Sequence, residues 1–224
     1  MSSVRLRPLD ESDLDEVACV HCAAFRKSAM TALGRDIVKR YYLWQFRGPG
    51  HQTYATGAWI DSRLAGFCVG GYQPTSLSGF LAQNRTRLVL RVLTRPWLLG
   101  NPLFRDRLTQ GLRVLRRAFS RSTPAPAAPP RAASTEAPRK PPFDILSIAV
   151  DPAVQGMGVG KTLMLHAQEQ ARENGFYVMT LYVNGDNDQA IRFYEHLGWE
   201  RCIQNGAWRG RMENWLERPA VSTA

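Results

Sequence analysis

The stretch "FDILSIAVDPAVQGMGVGKT", residues 143–162, constrains this chain more than any other. A largely apolar run stops at Asp151-Pro152, and glycines at 156, 158 and 160 follow before a helical pattern resumes. That order describes a strand passing through a glycine turn into a helix N-terminus. Glycine accepts positive φ and leaves backbone N–H groups uncovered, and the helix start adds the positive end of its dipole. On physical grounds such a turn cradles a pyrophosphate, with Lys161 placed to add a point charge. A glycine turn serving only close strand–helix packing is the plainer alternative.

Three phosphate-binding patterns nearly fit the turn. The P-loop pattern needs its first glycine at 155, which is Gln155, and the next strand, "FYVMTLYVN", offers no acid for Mg²⁺. The dinucleotide pattern needs its third glycine at 161, which is Lys161. It also belongs after a first strand, with an acid about twenty residues on, where this chain has "MTLY". The pattern Q-x-x-G-x-G is satisfied throughout by Gln155, Gly158 and Gly160.

Periodicity places the other elements. "VRLRPL" reads as a strand, then Asp10 and Asp13 as a box-like helix start. Leu14, Val17, Ala18, His21 and Phe25 make the apolar stripe of a first helix, so His21 reads as packed core. "RDIVKRYYLWQF" is a second helix, and "QTYATGAWI" and "LAGFCVGGY" a hairpin. After the glycine turn come a helix ending at Gly175, the strand "FYVMTLYV", a helix capped by Asp186 or Asn187 and closed by Gly198, and a terminal hairpin. The fold class is α/β, a mixed sheet in the order β-α-α-β-β-insert-β-α-β-α-β-β.

Composition excludes wholesale disorder: 44% of the 224 residues are apolar, enough for a core. The start shows no secretory pattern, no run suffices for a membrane span, and four scattered cysteines suit a reducing cytoplasm. Cys19, His21 and Cys22 lack a second ligand pair at zinc spacing, so no metal is expected. Of the formal charge of +10, +9 falls between residues 80 and 121, where ten arginines face one acid, Asp106. That insertion reads as two basic helices. In the first, Arg87, Arg91 and Arg95 lie opposite Leu88, Val89, Val92 and Leu93; the second carries Leu108, Leu112, Leu115 and Phe119. Residues 122–142 hold seven of the fourteen prolines and read as a flexible linker. The insertion has three readings: a solvated helical pair packed on the domain, a peripheral membrane contact, or a site for a polyanionic partner. No specific nucleic-acid module is present.

"LSIAVDPAVQGMGVGKTLM" followed by "LYVNGDNDQAIRFYEHLGW" resembles the GNAT superfamily of acetyltransferases, and the "RLRPLDESDLDEV" opening and strand order resemble it too. The resemblance covers residues 4–73 and 143–217. It implies one domain over 1–217, interrupted by the insertion at 80–121 and the linker at 122–142, with a tail at 218–224. It also implies acetyl-CoA as co-substrate. The pyrophosphate would lie on Gln155, Gly156, Met157, Gly158, Val159 and Gly160 with Lys161 beside it. The pantetheine would run along Ile148, Ala149 and Val150, where the fourth and fifth strands splay, with the Val150 N–H on the thioester carbonyl. Asn187 would contact the cofactor and Tyr194 would serve as catalytic acid, its alternative being a core position. Asp144 matches the place of a general base in histone-acetylating relatives, its alternative being an exposed acid at the linker junction. Alternation along the strand puts Asp144, Leu146, Ile148 and Val150 on one face. Relatives acting on protein N-termini place a glutamate where this chain has Tyr182.

The function expected on this resemblance is transfer of acetyl from acetyl-CoA to a primary amine of a small molecule such as an amino sugar, in a ternary complex. The expected location is the cytoplasm, with membrane-peripheral contact through 80–121 and a homodimer as open alternatives. A protein lysine or N-terminus is the competing acceptor. A non-catalytic acyl-CoA sensor, its basic insertion binding a membrane or partner, is the competing class.

Overall fold

The computed structural model describes residues 3–47, 52–72, 77–95 and 142–216. Its strands are β1 (Arg5–Pro8), β2 (Gln52–Ile60), β3 (Arg63–Tyr72), β4 (Phe143–Val150), β5 (Val178–Tyr182), β6 (Glu200–Gln204) and β7 (Ala207–Trp215). They form one sheet in the order β1-β2-β3-β4-β5-β7-β6. Every neighbouring pair is antiparallel except β4 and β5. A parallel pair needs a crossover, and α6 (Val159–Glu173) supplies it. The remaining helices are α1 (Leu14–Ala24), α2 (Ala29–Leu33), α3 (Arg35–Arg47), α4 (Leu77–Gln83), α5 (Arg85–Thr94) and α7 (Asp188–His196).

The sheet is covered on both faces. Leu14, Val17, Ala18 and Val20 of α1 and Val38 and Tyr42 of α3 pack on Leu64, Phe67, Val69 and Ala149. On the other face Val159, Leu163, Met164, Ala167 and Ala171 of α6 and Tyr194 of α7 pack on Cys68, Phe143, Ile145, Met179 and Leu181. The α6 residues recur at three- and four-residue steps, which keeps one stripe inward through the whole helix. A satellite cluster of Leu33, Ile37 and Phe80 seats α5 through Leu88 and Val92. No helix among the described residues is long and apolar enough to cross a membrane.

Local chemistry explains the boundaries. Asp10 accepts from the Ser12 N–H at 2.7 Å and Asp13 from the Asp10 N–H at 3.0 Å, so the box forms, though it closes a 3₁₀ turn ahead of α1. Gly175 and Gly198 end α6 and α7 with φ of 70° and 80°. Asn205 and Gly206, φ 51° and 74°, make the two-residue turn of the β6–β7 hairpin.

Three expectations need correction. The short helices α2 and α4 add two elements that the periodicity did not announce. On α5, Val89 and Leu93 are exposed, because Arg91 turns inward to pair with Asp36 and Arg95 donates to the Ala32 carbonyl. Finally, Asp144, Leu146, Ile148 and Val150 do not share one face. Val69 pairs with Ser147 and Gly70 with Ile145, so Leu146 is an extra residue, a β-bulge that reverses the alternation. Leu146 packs toward α1 and α3, whereas Ile148 and Val150 pack toward α6. The second basic helix and nearly all of the 122–142 linker lie outside the described residues.

Candidate active site

β4 loses a neighbour partway along its length. It pairs with β5 only at Phe143–Met179, Asp144–Thr180 and Ile145–Leu181. Beyond these, Val183 donates its N–H to the Gly210 carbonyl at 2.8 Å, on the β7 side. β4 meanwhile continues beside β3 as far as Val150. A wedge therefore opens between β4 and β5 from Leu146 and Tyr182 onward.

Peptide direction shows what β4 offers to the wedge. The Asp151 N–H donates to the Ala65 carbonyl on β3 at 2.8 Å. Peptide groups alternate sides along a strand, so Ala149 also turns to β3, and Ile148 and Val150 face the wedge. The Gln155 side-chain amide reaches back to the Val150 carbonyl at 3.3 Å, which leaves the Val150 N–H for another acceptor. An unpaired strand edge of this kind is a template for an extended ligand.

The glycine turn sits at the end of that edge. Asp151 accepts from the Ala153 N–H at 3.0 Å and so caps a 3₁₀ turn over Pro152–Val154. Gln155 is extended, and Gly156 and Gly158 follow with φ of 83° and 82°. A Cβ at either glycine would meet nothing within 4 Å, so left-handed backbone rather than crowding calls for glycine there. Gly158 is the N-cap of α6 and has no side chain to bond the amides of Val159, Gly160 and Lys161. Gly156, Met157, Gly158 and Lys161 are exposed, so these donors open to solvent.

Asn187 caps α7 by accepting from the Ala190 N–H at 3.1 Å, which leaves its side-chain NH₂ as an outward donor. Tyr194 is buried beside Phe193 and Trp199, and burial raises its phenol above the ordinary range, so its proton is retained. Asp144 is half-buried and accepts from the Thr180 hydroxyl across the middle of the three paired rungs. Tyr194 belongs to the α6–α7 face, whereas Asp144 precedes the bulge on the α1–α3 face. The two residues thus flank the floor of the wedge from opposite sides. Tyr182, at the end of β5, is exposed.

One constellation escaped the sequence reading. His21 Nδ1 lies 2.8 Å from the Tyr42 hydroxyl, which lies 3.0 Å from Ser147 Oγ beside the bulge. His21 and Tyr42 are buried, and burial pushes the imidazole down to about 4. Ser147 is half-buried and forms the accessible end of this chain. Three residues separated by 21 and 105 positions in sequence carry no local signal. No group of three or more potential metal ligands occurs among the described residues. Cys19 is exposed and Cys22 half-buried.

Residues 132–199 match the family model described as Acetyltransferase (GNAT) family. A mycothiol acetyltransferase of Rhodococcus erythropolis is 40% identical over 58 residues, 26% of this chain and 19% of the relative. Another, of Nocardiopsis dassonvillei, is 42% identical over 55 residues, 25% and 17% of the two chains. The chain thus spans about a fifth of the length of the curated relatives it matches. Among solved structures, the ribosomal-protein-S18-alanine N-acetyltransferase of Escherichia coli superposes with a TM-score of 0.54 at 13% identity, covering 99% of both chains. The PaiA N-acetyltransferase of Thermoplasma acidophilum, in complex with coenzyme A, gives 0.54 at 14% identity over 95% of this chain and 99% of that one. At these identities the likeness is one of fold.

Proposed function

The chain carries a GNAT acetyltransferase domain, and on that premise we propose that it transfers acetyl from acetyl-CoA to a primary amine of a small molecule. The observation that carries the reading is the join of two features: an unpaired β4 edge leads directly into the open amides at the start of α6. A pyrophosphate needs several convergent N–H donors, and the amides of Gly158 to Lys161 provide them with the helix dipole behind. A pantetheine arm needs an extended edge with free backbone groups, and Ile148 together with the Val150 N–H provides it.

Within this reading each group has a defined task. The Val150 N–H meets the thioester oxygen and stabilises the charge that grows there as the amine attacks. Tyr194 keeps its proton and directs it to the sulfur as the C–S bond breaks. Asp144, on the opposite face, takes the proton that the amine nitrogen loses as the C–N bond forms. The products are an N-acetylated amine and coenzyme A. The family match begins at residue 132, so α1, α2 and α3, which wall the other side of the wedge, lie outside it. The identity of the acceptor therefore does not follow from the match. The name of the relatives, mycothiol acetyltransferase, supports a small molecule, and the absence of a glutamate at Tyr182 weighs against a protein N-terminus.

The test is thiol release from acetyl-CoA in the presence of a panel of primary amines, amino sugars included. Amine-dependent release of coenzyme A is the expected result. Tight binding without release for any amine would instead mark a sensor.

A further inference from the structure

The chain His21–Tyr42–Ser147 connects a buried imidazole on α1, through α3, to the strand position just past the β4 bulge. The His21 Nε2 atom is buried and has no hydrogen-bond partner among the described residues. A neutral imidazole has one N–H, and carrying it on Nδ1 directs that hydrogen to the Tyr42 oxygen and leaves only a lone pair on Nε2. The Tyr42 hydroxyl, having accepted, donates onward to Ser147 Oγ. Ser147 has then received its hydrogen bond, and its own hydrogen remains to be donated. Tyr42 is fully buried and packed edge-on against Phe67 and Tyr41, which holds its hydroxyl oxygen in place between His21 and Ser147.

Ser147 lies two residues past the last rung shared with β5, on the face that carries α1 and α3. The glycine turn and α6 lie on the other face, so a donor laid along β4 from that side presents its reactive end to the Ser147 side through the wedge. We propose that His21 and Tyr42 polarise the Ser147 hydroxyl as a fixed hydrogen-bond donor to an oxygen of the acceptor substrate. The acceptor is then an amine with a hydroxyl or carboxylate close to its nitrogen, and a bare alkylamine lacks the group that Ser147 reads. This inference rests on the acetyl-transfer reading. His21 and Tyr42 are positioning residues, and Ser147 is the contact.

Two measurements on the full chain test it. Long-range ¹H–¹⁵N correlation at neutral pH, with the His21 signals identified by their loss in His21→Gln, reads the tautomer directly. Nδ1 protonated and Nε2 bare is the expected result; hydrogen on Nε2 overturns the polarity and with it the proposal. Thiol release is then compared for amine pairs matched in size, ethanolamine against propylamine and glycine against isobutylamine. The intact protein prefers the oxygen-bearing member, and Ser147→Ala reduces that preference about tenfold, the value of one hydrogen bond, while Ser147→Thr retains it. An unchanged preference in Ser147→Ala overturns the proposal. Calorimetric titration with acetyl-CoA separates the two levels: Ser147→Ala binds it as the intact chain does, and failure of both to bind would count against the underlying reading instead.

Discussion

His21 and Tyr194 show how burial sets the working state of a residue. For His21 the folded value near 4 lies below the ordinary 6.5, so as pH falls the unfolded chain takes up the proton first. Stability is therefore intact above about pH 6.5 and is lost as pH falls toward 4, by roughly 3 kcal/mol over the full window. Urea unfolding at pH 7 and pH 4.5 should show this loss in the intact protein, and His21→Phe should show about 2 kcal/mol less of it. Equal losses would mean that the imidazole is not held neutral. Tyr194 is held protonated by the same physics, and Tyr194→Phe is expected to lower kcat about a hundredfold with little change in KM for acetyl-CoA. A kcat within twofold of the intact enzyme would reduce Tyr194 to a packing residue. The glycine turn, the Asn187 cap and the helix that carries Tyr194 were legible in the sequence because such local structure depends on neighbours along the chain. The Tyr42–Ser147 bond was not, since it joins residues 105 positions apart.

At the level of the element, β4 shows where pattern reading succeeds and where it stops. The strand, its end at Asp151 and the following helix could be read from apolar run, proline and glycine. The bulge at Leu146 could not, because alternation assumes a strict period of two. Its trace lies on the neighbouring strand: a Cβ on Gly70 would stand 2.5 Å from the Asp144 carbonyl oxygen. Only glycine lets β3 approach the bulged strand this closely. Gly70→Ala should cost about 1–3 kcal/mol in denaturant unfolding and lower kcat by displacing Asp144 and the wedge. A variant with unaltered stability and rate would show that the bulge does not depend on that approach. On α5 the apolar count was right and its phase was not, since the inward side is shared with Arg91 and Arg95, whose partners Asp36 and Ala32 lie far off in sequence.

The molecule as a whole divides its labour between the two faces of one sheet. α6 and α7 pack on one face, which the proposed function assigns to the acetyl donor, α1 and α3 line the other, and the wedge between β4 and β5 opens between them. Acetyl-CoA that binds only the folded state stabilises all of it by linkage, about 2.7 kcal/mol at a hundredfold excess over Kd, or roughly 5–10 °C in Tm. The central claim is that the open amides around Gly158 bind this donor. Calorimetric titration of the full chain with acetyl-CoA, beside a Gly158→Glu variant checked for an intact fold by circular dichroism, tests it most directly. The account predicts micromolar binding by the intact protein and none by the variant, whose carboxylate occupies the anion site. Absence of binding by the intact protein, or undiminished binding by a folded variant, would contradict it.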